Sequence, residues 1–149
     1  MWKKKPEEEA RGGEDEVDER VHRIMDDVVY NSFNEQYKKV KELTHLEQAK
    51  CFANPASNAA QAEACSRDAM YPYLQLRKLN TELLGPCHDS FSLTKFKCEE
   101  GKKDEVQDCV RKALEVFKTC LEQKKPTMAR YHADHIKSFK KIIEMSRQK

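Results

Sequence analysis

Cysteine is the residue type best placed to do chemistry in this chain. Four of its six cysteines, Cys87, Cys98, Cys109 and Cys120, stand eleven positions apart in an unbroken series, within CHDSFSLTKFKC and CVRKALEVFKTC. Thiols at such sites can hold a metal, exchange electrons or cross-link, and spacing separates these uses. A structural zinc site needs its ligands two to four residues apart, so that each pair reaches one ion at about 2.3 Å. Thiol exchange and copper transfer favour CC, CxC or CxxC, none of which occurs here. An eleven-residue step is nearly three turns of α-helix, which puts two cysteines on one face roughly 16 Å apart, beyond the reach of one ion. The cysteines therefore read as staples rather than reagents. The bland alternative is that they are small buried apolar residues, as free cysteines usually are.

The elements that must position them are helices. On a strand an odd step would turn the two sulfurs to opposite faces. From Val106 the apolar positions run Val106, Cys109, Val110, Ala113, Leu114, Phe117, Cys120 and Leu121, an amphipathic stripe with charges between. Cys87, Phe91, Thr94 and Cys98 share a face at spacings of four, three and four. The stretch EEGKKD between them carries Gly101 and no apolar residue, and reads as a helix stop and turn. Two short helices folded as an antiparallel hairpin would bring Cys98 and Cys109 together near the turn, and Cys87 and Cys120 together at the open end. Four cysteines allow three connectivities and sequence alone does not select one. The nested arrangement is the one that lets both helices bury their cysteine faces.

Elsewhere, residues 1–16 are charged, with Gly12 and Gly13, and predict an extended arm with little intrinsic order. Val17, Val21, Ile24 and Val28, then Phe33, Tyr37 and Val40, mark a helix of some thirty residues ending near Cys51, its stripe shifting once around Val29. FANPASN breaks it, with Ser57 as N-cap of a second helix through Ala64, Cys65 and Ala69. Cys51 and Cys65 flank that turn, so a third disulfide is a hypothesis, with two unpaired thiols as its alternative. Tyr71-Pro72 interrupts the second helix, Gly85-Pro86 stops the next, and Lys124-Lys125-Pro126 breaks the chain after the hairpin. A last stripe runs through Met128, Tyr131, His132, His135, Ile136, Phe139 and Ile142. No strand pattern appears. The expected architecture is all-α: an arm over 1–16, a helical region over 17–85 with a turn near 53–57, a hairpin over 86–123, and a basic amphipathic helix over 124–149.

Composition narrows the class. With 36% charged and 38% hydrophobic residues in 149, the chain suits one domain that leans on staples or partners. Six cysteines point to an oxidising compartment. Yet the opening MWKKKPEEEARGGEDEVDER holds no apolar run of a signal peptide and is too acidic for an Arg-rich transit peptide. No stretch approaches the roughly 18 to 20 apolar residues of a membrane span. The net charge of +2 conceals opposite ends: eight Lys or Arg against three Asp or Glu over 121–149, and five against eight over 1–20.

In CHDSFSLTKFKC and CVRKALEVFKTC the chain resembles the coiled-coil-helix-coiled-coil-helix, or twin Cx9C, family, small proteins oxidised on import into the mitochondrial intermembrane space. The resemblance covers Cys87 to Cys120, and both spacings here are Cx10C, a departure some members share. It implies pairing of Cys87 with Cys120 and of Cys98 with Cys109. It also implies residence in the intermembrane space, peripheral to the inner membrane, and a role among respiratory accessory subunits, assembly factors, copper chaperones or mitochondrial ribosomal proteins.

The remaining candidates for chemistry are thin. His132 and His135, three apart near Asp134, could turn two imidazoles toward one metal, but two ligands are too few for a structural zinc site, and a solvated or interface pair is expected instead. There is no phosphate-binding glycine loop, and Ser90 beside His88 lacks a supporting constellation. No catalytic residue, cofactor, metal or small-molecule substrate is expected. The basic C-terminal helix, with Lys137, Lys140, Lys141, Arg147 and Lys149, suits a partner or anionic lipid. Its aromatics sit on the apolar stripe, which argues against nucleic acid. The expectation is a non-catalytic accessory subunit of a mitochondrial inner-membrane oxidative-phosphorylation assembly, a respiratory complex or the ATP synthase. The alternatives are a mitochondrial-ribosome component and, last, a secreted helical ligand-binding protein like insect odorant-binding proteins, whose CxxxC pair is missing here.

Overall fold

A computed structural model describes the backbone of residues 6–147 and the side chains of residues 16–147. In chain order the elements are α1 (Pro6–Met25), a π-helical turn (Asp26–Tyr30), α2 (Asn31–Ala53), α3 (Ala59–Ala69), α4 (Tyr71–Glu99), α5 (Lys103–Lys137) and α6 (Phe139–Arg147). The fold is all-α, with no strand among the described residues. The π turn explains the shift of the apolar stripe near Val29. A π turn takes in one residue more than an α turn, which rotates everything after it by about 100°. Val17, Val21 and Ile24 before it and Phe33, Tyr37 and Val40 after it thus follow two registers of one chain.

Two compact units form, one from Met1–Ser32 with Cys87–Gln123, the other from Phe33–Pro86 with Lys124–Lys149. The first holds α1, the π turn and the facing parts of α4 and α5. It buries Val28, Val29, Phe91, Leu114, Phe117 and Leu121, and the rings of Phe91 and Phe117 lie 5.4 Å apart. The second unit gathers α2, α3, α6 and the other parts of α4 and α5. Its core joins Val40, Ala69, Leu76, Phe139 and Ile143, with Tyr37, Leu43, Tyr73, Tyr131 and Ile136 against them. Each of the buried Val, Leu, Ile and Phe side chains contributes about 1.5–3 kcal/mol relative to exposure.

Several sequence expectations change. Backbone from Pro6 is helical, so the expected extended arm over 1–16 is helix from that point, while residues 1–5 lie outside the described residues. Proline is favoured at the first helical position, and Glu7, Glu8 and Glu9 follow it in sequence, where negative charge suits the helix start. Gly85-Pro86 and Pro126 do not stop their helices: α4 and α5 run through them for 29 and 35 residues, so the hairpin arms are not short helices. Leu84 and Cys87 are buried on either side of the first proline, and Leu121 and Met128 on either side of the second. Packing on both flanks offsets the hydrogen bond each proline removes. The boundaries between the two units still fall at these places, Pro86 ending one segment and Lys124 opening another.

The α3 cap also lies one residue beyond Ser57. Asn58 Oδ1 accepts from Gln61 N at 2.8 Å, and Gln61 Oε1 accepts from Asn58 N at 2.9 Å, a reciprocal capping box. Tyr71-Pro72 does separate α3 from α4, with Pro72 at the second helical position, where its missing N–H costs no intrahelical bond.

Candidate functional site

All six cysteines are paired. Cys87 is joined to Cys120 and Cys98 to Cys109, with Cα separations of 5.8 and 5.6 Å, and Cys51 is joined to Cys65 at 5.7 Å. The turn of the hairpin follows from the chain around Gly101, whose N–H donates to the Cys98 carbonyl at 3.1 Å. A Cβ at Gly101 would stand 3.3 Å from that carbonyl oxygen, a tight approach that glycine avoids. Asp104 and Glu105 occupy the first turn of α5, where the helix dipole favours acids.

Between the two hairpin staples runs a groove of about 300 Å³, largely apolar. It is lined from α4 by Ser90, Phe91 and Thr94 and from α5 by Lys112, Ala113 and Val116. These are the third, fourth and seventh positions after Cys87 and after Cys109. The repeated cysteine spacing thus builds the groove twice over, once from each arm. Small side chains at Ser90, Thr94 and Ala113 leave it open. On the outer side of α4, Leu93 and Phe96 stand one turn apart and are 57% and 59% exposed, and Val116 on α5 is 66% exposed. Sequence reasoning, which followed the cysteine face, passed over Leu93 and Phe96. The signal was available: two large apolar residues three apart, off the stripe, in a segment pinned at both ends.

Electrostatics around the hairpin are local. Asp108 accepts from Arg111 and lies 3.2 Å from Lys112. The hydrogen bond from Arg111, reinforced by Lys112, holds its carboxyl below the usual range. These groups are solvent-exposed and belong to the helix surface.

His132 and His135 are neither solvated nor turned to one point. Both are buried, His132 completely. Asn80 Nδ2 donates to His132 Nε2 at 3.2 Å and to Tyr37 Oη at 2.8 Å. The His132 ring stacks on Phe33 and meets Tyr37 edge-on, at centroid distances of 5.0 and 4.5 Å. His135 donates from Nδ1 to the Tyr131 carbonyl at 2.7 Å, and its Nε2 lies 3.1 Å from Gln75 Oε1. Removal from water, and then the charge of His135, push His132 down to about 4. Neighbours on one helix, the two rings serve different partners and act as core polar residues. Among the described residues no group of three or more His, Cys, Asp or Glu is arranged to hold a metal.

The stripe of the C-terminal segment also turns inward. Met128, Phe139 and Ile143 are buried, so its apolar side packs on the protein's own core and leaves Arg130, Lys137, Lys140 and Lys141 facing outward. Among the described residues no helix is long and apolar enough to cross a membrane. No protein-family model matches this chain, and neither the curated proteins nor the solved structures contain a match.

Proposed function

We propose that this protein is a non-catalytic structural subunit of a mitochondrial inner-membrane oxidative-phosphorylation assembly, a twin Cx10C relative of the coiled-coil-helix-coiled-coil-helix proteins, docked from the intermembrane space. One observation carries the reading. The doubly stapled hairpin presents Leu93 and Phe96, more than half exposed, from a helix fixed at Cys87 and Cys98. Large apolar side chains on a pre-organised element lose little entropy on association and suit a permanent neighbour. Three disulfides suit an oxidising compartment. The lysines left outward on α5 and α6 would meet an acidic subunit or anionic headgroups.

The test is substitution of that pair. Leu93→Glu with Phe96→Glu should leave the hairpin disulfides and helical content intact while the protein leaves its high-mass assembly in solubilised mitochondria. Retention of the double variant in the assembly would remove Leu93 and Phe96 as the docking surface. Absence of the wild-type chain from mitochondria would remove the reading itself.

A further inference from the structure

The third disulfide differs from the hairpin pair in what surrounds it. Cys51, near the end of α2, is 6% exposed, whereas Cys65 on α3 is partly open to solvent. Arg147, in the last turn of α6, directs Nη2 at Cys65 Sγ from 3.8 Å. The same guanidinium is held by Asp68, its Nε 3.6 Å from Oδ2. α6 thus delivers one cation to one sulfur of the pair. Of the other charged groups on these elements, Glu47 and Lys50 stand nearest Cys51 in sequence on α2 and pair with each other at 3.1 Å, Glu63 and Arg67 flank Cys65 on α3, and α6 carries Lys140, Lys141 and Glu144 besides Arg147.

We propose that Cys65 is the reactive thiol of this site, the one through which the Cys51–Cys65 bond is made and exchanged. In the dithiol form Arg147 favours the thiolate of Cys65, as a neighbouring cation does for any thiol, while burial disfavours it at Cys51. The Cys65 thiolate attacks one sulfur of an external disulfide, whose S–S bond breaks and whose other sulfur departs as a thiolate. Cys51 then loses its proton to water and attacks Cys65 Sγ, and the second external sulfur leaves as a thiolate. The external disulfide is reduced by two electrons to two thiols and the Cys51–Cys65 pair is oxidised by two. An incoming disulfide reaches Cys65 from solvent, whereas Cys51 is covered. The inference rests on the junction of α2, α3 and α6 and is independent of the proposed assembly.

The test uses the full chain, purified without reductant so that the hairpin staples persist. Cys51→Ser leaves Cys65 as the single thiol and Cys65→Ser leaves Cys51. With glutathione disulfide as probe, Cys65 should form the mixed disulfide at least tenfold faster than Cys51. Its rate should rise with pH around a midpoint below the roughly 8.5 of a free thiol. Adding Arg147→Gln should move that midpoint upward, and Arg147→Lys should restore most of the shift. Faster reaction at Cys51, or a Cys65 midpoint unmoved by Arg147→Gln with helical circular dichroism unchanged, would overturn the proposal. Should these variants fold poorly, mildly reduced wild-type protein reoxidised with glutathione disulfide and quenched early in acid gives the same answer. Glutathione on Cys65 supports the assignment and glutathione on Cys51 overturns it.

Discussion

Asn80 and His132 meet inside the second unit, 52 residues apart in sequence, with the amide nitrogen 3.2 Å from Nε2 of the ring. The amide donates, so Nε2 is an acceptor and the imidazole is neutral in the folded protein. A proton arriving there would have to displace the Asn80 donor in a space closed to water.

Stability should therefore fall in acid through His132. Its folded value is about 4 against an ordinary value of 6.5. Above pH 6.5 the ring is neutral in both folded and unfolded chains, and the difference contributes nothing. As pH falls from 6.5 toward 4 the unfolded chain takes up a proton that the folded one refuses, which costs up to about 3 kcal/mol in all. His132→Phe keeps a ring against Phe33 and removes the proton. Urea unfolding at pH 7 and pH 4.5 should show wild type losing more stability between the two than the variant does. Equal losses would mean that His132 takes up its proton alike in the folded and unfolded chains.

The three staples should differ in weight. Cys87–Cys120, Cys51–Cys65 and Cys98–Cys109 span separations of 33, 14 and 11 residues. On the chain-entropy model these constrain the unfolded state by about 4, 3 and 3 kcal/mol. Pairwise Cys→Ala variants unfolded in urea should show the largest loss for Cys87 and Cys120.

Gly85 sits within α4, and a Cβ built there meets nothing within 4 Å. Gly85→Ala should stabilise the protein by roughly 0.5–1 kcal/mol, the helix-interior difference between the two residues. Thermal unfolding checks it. A decrease in stability would show that glycine serves the helix where it meets Pro86.

Helix existence and the cysteine face were legible because they depend on period alone. The stripe from Val106 to Leu121 and the eleven-residue step both repeat at helical spacing, and no distant contact is needed to see them. Even the register shift near Val29 left its mark, since a π turn displaces every later apolar residue. The prolines misled for the opposite reason. Pro86 and Pro126 carry a local signal to stop, and the burial of Leu84, Cys87, Leu121 and Met128 around them is tertiary, invisible to a local reading. His132 was equally opaque. Its partners Phe33, Tyr37 and Asn80 lie 52 to 99 residues away, so a histidine on an apolar stripe gave no sign of whether it met solvent, metal or amide. Asn58 with Gln61 could have been read directly, as an amide three residues before its capping partner.

The most direct measurement is native electrophoresis of gently solubilised mitochondrial inner membranes, followed by disulfide mapping of this chain from the band that holds it. The proposed role predicts co-migration with an oxidative-phosphorylation complex, with Cys87 joined to Cys120 and Cys98 to Cys109 in the isolated protein. A chain found free at its own mass, or with those four thiols reduced in its native compartment, would contradict that role.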